Sequence, residues 1–142
     1  MDHEELKFER NHQGGHAQDM NMQIVEVDDG RAVGVMKIED RMLNPYGAIH
    51  GGVLFSLADT VGGTAALSRG FYIVTSNGTI NYLRGTRNSR EITAIATEVK
   101  TGKTLSIYDV EMEDEHGKLV AKAVMTYCSL GVPLDRGDHV DY

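Results

Sequence analysis

Residues 44–60 read Asn44-Pro45-Tyr46-Gly47-Ala48-Ile49-His50-Gly51-Gly52-Val53-Leu54-Phe55-Ser56-Leu57-Ala58-Asp59-Thr60. Asn-Pro and Gly47 are turn chemistry, and a helical run begins after His50-Gly51-Gly52. That run is apolar on nearly every side, through Val53, Leu54, Phe55, Leu57, Ala58, Val61, Ala65, Ala66 and Leu67. A helix without a polar face belongs inside a fold. Asp59 stands alone in its middle, where a charge is costly unless it is paired, hydrogen-bonded or used. One reading makes it a core carboxylate satisfied by a facing hydroxyl.

The residues upstream favour chemistry. A helix that begins at two glycines presents unpaired backbone N–H groups, and glycine lets a ligand come close to them. Such donors suit a developing oxyanion. The helix therefore offers a polarising end at Gly51 and Gly52 and a general base or nucleophile at Asp59. Eight residues separate Gly51 from Asp59, roughly 12 Å along a helix at about 1.5 Å per residue. Both groups must come within about 3 Å of one reacting carbonyl or its attacking water. One helix cannot do this, but two antiparallel copies can, so the spacing predicts at least a dimer with sites at its interface.

The run Asn44, Pro45, Gly47, His50-Gly51-Gly52 and Asp59-Thr60 resembles the signature of hotdog-fold acyl-CoA thioesterases, in the branch of the phenylacetate-pathway enzymes. The resemblance extends over roughly residues 20 to 130. It implies that Asp59 activates water at a thioester carbonyl or attacks that carbonyl directly. It implies an oxyanion contact from the Gly51 N–H, a loop Asn44 that holds the carbonyl or the water, and a His50 that orients and shapes. It also places a hydroxyl near the start of the strand after the helix, which strand pattern aligns with Thr75, next to Ser76. A one-residue slip would exchange their faces.

Bulk properties narrow the classes. A chain of 142 residues suits one domain, and 41% hydrophobic with 25% charged residues is the composition of a globular protein. The net charge of −7 argues against nucleic acid and against an anionic membrane surface. The opening Met1-Asp2-His3-Glu4-Glu5 lacks the apolar core of a secretory signal, and no apolar run is long enough to span a bilayer. Cys128 is the single cysteine, which suits a reducing cytoplasm; its alternating strand context makes it a packed thiol rather than a nucleophile.

Residues 1–19 have weak periodicity, and a loosely packed N-terminal segment is expected there. His12 and His16 have the spacing of a helical metal pair, but Gly14-Gly15 between them argues against that helix. Strands are expected at 22–27 and 31–38, joined by Asp28-Asp29-Gly30. The helix follows and ends near Arg69-Gly70. Its Gly62 and Gly63 suggest that a sheet or partner helix passes very close. Four strands come next, at about 71–83, 90–99, 104–113 and 118–130, and residues 131–142 form a polar tail. A lone apolar helix beside one sheet is covered only if the sheet curls around it. The expected class is thus α+β, a hotdog fold with one long central helix wrapped by a curved antiparallel sheet of about six strands, filling residues 20–130.

Residues 84–103 hold Arg84, Arg87, Arg90, Lys100 and Lys103 against only Glu91 and Glu98 in an otherwise acidic chain. At strand ends and turns, Arg84, Arg87, Lys100 and Lys103 are candidates for the phosphates of a coenzyme A tail. The expected reaction is metal-free hydrolysis of an acyl-CoA thioester, with no cofactor beyond the coenzyme A of the substrate. An Asp59 anhydride is an open variant of the water mechanism. Alternatives are a hotdog acyl-thioester hydratase or dehydratase, and a non-catalytic acyl-CoA sensor. A dimer or a dimer of dimers is expected.

Overall fold

Alternation sets the inner face of the sheet. Ile92, Ala94 and Ala96 are fully buried, while Thr93, Ile95 and Thr97 between and after them are half-buried or exposed. The computed structural model describes residues 1–134. In chain order its elements are α1 (His3–His12), α2 (Gly15–Asp19), β1 (Met22–Asp28), β2 (Arg31–Lys37), a 3-10 turn (Asp40–Met42), α3 (Gly51–Leu67), β3 (Phe71–Tyr82), β4 (Glu91–Thr101), β5 (Leu105–Glu113) and β6 (Leu119–Pro133). The six strands form one antiparallel sheet in the order β1-β2-β4-β5-β6-β3. The helix α3 therefore carries the chain across the sheet, from β2 to the opposite edge. This is the hotdog arrangement expected from the sequence.

The sheet grips α3 through Leu54, Leu57, Ala58, Val61 and Ala65, none more than 2% exposed. Two glycines let the layers approach. A Cβ on Gly34 of β2 would lie 2.5 Å from Val61 Cγ2, and one on Gly62 would lie 2.5 Å from the Tyr127 hydroxyl of β6. The sheet does pass close at Gly62, as its glycine suggests. Gly63 is different: a Cβ there would meet its neighbours at 3.8–3.9 Å, ordinary contact distances. No helix among the described residues is long and apolar enough to cross a membrane.

The N-terminal segment is a capped helix that docks on β1 with a single buried residue among positions 1–19. Asp2 accepts from the Glu5 amide and Glu5 accepts from the Asp2 amide, a capping box that starts α1. Leu6 is buried at 3% exposure, and the Asn11 carboxamide bonds both the N–H and the C=O of Ile24 on the outer edge of β1. Docking thus rests on Leu6, on Ala17 packed against the core and on several polar contacts, a combination that hydrophobic periodicity does not register. Gly14 and Gly15 have φ of +70° and +75°, and the helical run breaks at Gln13-Gly14 between α1 and α2, so His12 and His16 do not share a helix. At the other end β6 runs on to Pro133, paired with Phe71, so the expected tail starts too early. Residues 135–142 of that tail lie outside the described residues.

Candidate active site

The loop before α3 is built by Asn44. Its Oδ1 accepts from the amides of Tyr46 (2.9 Å) and Ala48 (3.1 Å), and its own N–H donates to the Ala48 carbonyl at 2.8 Å. The carboxamide oxygen is thus committed to shaping the turn. The Ile49 amide donates to the buried Thr86 hydroxyl at 2.9 Å, tying this turn to the 83–90 loop. Thr86→Val would strand that amide without an acceptor. It is expected to lower stability by about 1–3 kcal/mol in chemical denaturation, the cost of an unsatisfied buried N–H.

His50 caps α3: its Nδ1 accepts from the Gly52 amide at 2.9 Å, so the proton of a neutral ring lies on Nε2. The two glycines thereby part company. Gly52 has used its N–H, whereas the Gly51 N–H has no acceptor among the described residues. The Gly51 carbonyl accepts from the Tyr82 hydroxyl at 2.7 Å, and a Cβ at Gly51 would lie 2.8 Å from that oxygen. Partial burial pushes the Tyr82 phenol above its ordinary pKa, so it remains a donor.

Asp59 is half-buried, not engulfed as an all-apolar helix suggests. The sheet covers one side of α3 and leaves a stripe with Val53, Phe55, Ser56, Asp59 and Thr60 only partly covered. Thr75 of β3 donates its hydroxyl to Asp59 Oδ1 at 2.8 Å. A bulge at Ser76, between the pairs Thr75–Tyr127 and Asn77–Thr126, fixes which neighbour faces the helix. Tyr127, buried in the core, donates to the Asp59 main-chain carbonyl at 3.0 Å. Burial first, then the nearby Asp59 charge, raises its pKa far above the phenol range. Arg10 reaches from α1 to Thr64 Oγ1 (3.0 Å) and to the Thr60 carbonyl (3.2 Å). A cavity of about 510 Å³ opens at Asp59, bounded by Leu6, Arg10, Gly63, Ile73, Thr75 and Tyr127.

Asp59 and Thr75 are therefore brought together at mid-helix, while Gly51, His50 and Asn44 stand at the start of the helix, roughly 12 Å away at 1.5 Å per residue. The basic candidates also divide. The 83–90 loop holds Arg84 and Arg87 near the helix start, with Arg87 Nε 3.8 Å from where a Gly47 Cβ would lie. Lys103 lies beside Arg69 at the far end, with Lys100 on the adjoining end of β4. One chain does not gather them into one cluster. Tyr82, Tyr127 and Arg10 escaped sequence reasoning because their roles follow from strand register and from the docking of α1.

A central helix cradled by a six-stranded antiparallel sheet defines the hotdog class. Residues 46–121 match the model of the thioesterase superfamily, and the chain belongs to that family. It is 38% identical over 105 residues to the acyl-coenzyme A thioesterase PaaI of Escherichia coli, covering 74% of this chain and 75% of that protein. The structure of the E. coli PaaI protein from the phenylacetic acid degradation operon superposes with a TM-score of 0.79 at 35% identity, over 82% of this chain and 85% of that one. A hypothetical thioesterase from Streptococcus pneumoniae, solved with coenzyme A, gives a TM-score of 0.76 at 34% identity, over 80% and 91% of the chains.

Proposed function

We propose that this protein hydrolyses acyl-CoA thioesters at a site completed between two copies of the chain. The observation that carries the reading is the division of labour along α3, a carboxylate held by Thr75 at mid-helix and an uncommitted Gly51 amide at the N-terminus. The thioester oxygen rests on the Gly51 N–H of one copy, where the helix N-terminus adds its partial positive charge. Asp59 of the other copy, its Oδ1 fixed by Thr75, takes a proton from water on its second oxygen. The hydroxide adds to the carbonyl carbon, and the tetrahedral intermediate collapses with cleavage of the C–S bond. Thiolate is a good leaving group; it collects the proton from Asp59 and departs as coenzyme A, leaving the free acid.

In this scheme Asn44 and His50 act on the loop rather than on the proton, and no cofactor takes part. The partly covered stripe with Val53 and Phe55 beside Asp59 suits burial against a second α3. Arg84 and Arg87 are placed for phosphates of a ligand bound at the Gly51 end, whereas Lys100 and Lys103 are placed to serve the ligand of a neighbouring copy. Support for coenzyme A comes from the name of the E. coli relative and from the coenzyme A in the S. pneumoniae structure. The lone thiol of Cys128 suits a cytoplasmic setting.

Subunit complementation tests this arrangement. Asp59→Asn lacks the base, and Gly51→Pro lacks the oxyanion N–H; proline suits the first helical position, and its Cβ, 2.8 Å from the hydroxyl of the exposed Tyr82, displaces only that ring. Each alone is expected to be nearly inactive in thiol release. After co-refolding an equal mixture, half of the dimers are mixed and each holds one intact site, so roughly a quarter of wild-type activity should return. A mixture no better than its components would refute a shared site.

A further inference from the structure

Ile73 of β3 lines two cavities at once. On one side is the cavity at Asp59. On the other, at the C-terminal end of α3, lies a second cavity of about 500 Å³, with a largely apolar lining that includes Ala66, Phe71 and Tyr108. Arg69 also borders it, but both Glu98 oxygens hold that guanidinium, at 2.9 and 2.6 Å, and the pairing keeps the Glu98 carboxyl below its usual range. Arg69 is thus matched, Lys103 on the lining is exposed to solvent, and the apolar part of this space along Ala66, Phe71 and Tyr108 suits an apolar guest.

Gly63 explains how a guest would arrive. Its φ does not call for glycine, and alanine would fit at ordinary contact distances, yet glycine is the poorer helix former. The missing side chain leaves room on the wall of the Asp59 cavity, and Ile73 Cδ1 is one of the atoms facing that room, 3.9 Å from where a Cβ would be. The open path along α3 thus starts at the carboxylate, passes Gly63 and ends on Ile73, with apolar space behind it.

We propose that Ile73 sets the length of the acyl group: a short chain ends against it, and the second cavity accepts the distal carbons of a longer aliphatic chain only when that side chain is made smaller. This rests on the acyl-CoA reading above for the kind of ligand. The test measures binding and turnover separately. Affinities of the non-hydrolysable thioethers S-butyl-CoA and S-dodecyl-CoA are measured by calorimetry for wild type, Ile73→Val and Ile73→Ala, and thiol release is followed from the matching thioesters. Wild type should favour the butyl ligand. Each methylene newly accommodated adds about fourfold in affinity, so the dodecyl-to-butyl affinity ratio should rise about fourfold in Ile73→Val and more than tenfold in Ile73→Ala. The valine variant keeps the test decisive if the alanine variant folds poorly. A ratio unmoved in the folded variants, or a wild type that already prefers dodecyl, overturns the proposal. A shifted ratio without thiol release from any thioester supports the ruler and removes the hydrolase reading. Turnover with an unshifted ratio does the reverse, and a protein that binds neither thioether overturns both.

Discussion

Asp59→Asn is expected to reduce thiol release from acyl-CoA by about 10²–10⁴-fold, the usual worth of a positioned general base, with the fold intact. The geometry makes this substitution clean. Asparagine keeps the shape, and its carbonyl oxygen can still accept from Thr75, now 2.8 Å from Asp59 Oδ1. The contact with Tyr127 is to the main-chain carbonyl and does not depend on the side chain. Because the amide keeps the Thr75 contact and the shape of the side chain, the thermal midpoint should barely move. A fall in kcat with an unchanged melting curve therefore reports chemistry. Turnover within a few-fold of wild type would remove Asp59 from the reaction and with it the two-copy site.

How far the residues alone disclosed this follows from what each signal encodes. Alternation and turn chemistry record local periodicity, so all six strands stand within about three residues of their expected ends. An apolar run records that a helix will be covered but not from which side, and this is why Asp59 looked engulfed and proves to face a cavity. Thr75 was separable from Ser76 only once the bulge was known, because faces invert with every residue. Residues 84–103 read as one basic cluster because they are close in sequence, but β4 carries its two ends to opposite ends of α3. The N-terminal helix was hidden behind polar docking, although Asp2 and Glu5 at capping-box spacing marked its start. What the sequence withheld is what depends on register and on partners remote in the chain, including the pairing of Tyr82 with Gly51 and of Tyr127 with Asp59.

Gly62→Ala and Gly63→Ala, one residue apart on α3, are expected to change stability in opposite directions. Helix propensity favours both substitutions by about 0.8–1 kcal/mol. At Gly63 the new methyl meets nothing closer than 3.8 Å, so the propensity gain should survive as a higher denaturation midpoint. At Gly62 it would lie 2.5 Å from the Tyr127 hydroxyl, with Tyr127 Cζ and Val110 Cγ2 at 3.4 Å. Overpacking of this kind costs about 1–3 kcal/mol, enough to reverse the propensity gain. Tyr127 cannot simply step back, because its ring is fully buried and its hydroxyl is bonded to the Asp59 carbonyl. A double-mutant cycle isolates the cause. Tyr127→Phe alone forfeits that hydrogen bond, about 1 kcal/mol. In Tyr127→Phe the offending oxygen is gone, so adding Gly62→Ala should cost at least about 1 kcal/mol less than in wild type, the coupling expected of atoms in direct contact. The same clash pushes on the hydroxyl that supports the main chain of Asp59, so Gly62→Ala should also slow turnover. Equal effects of the two alanines on stability would show that the sheet does not press on α3 at Gly62, and the placement of Asp59 by Tyr127 would fall with it.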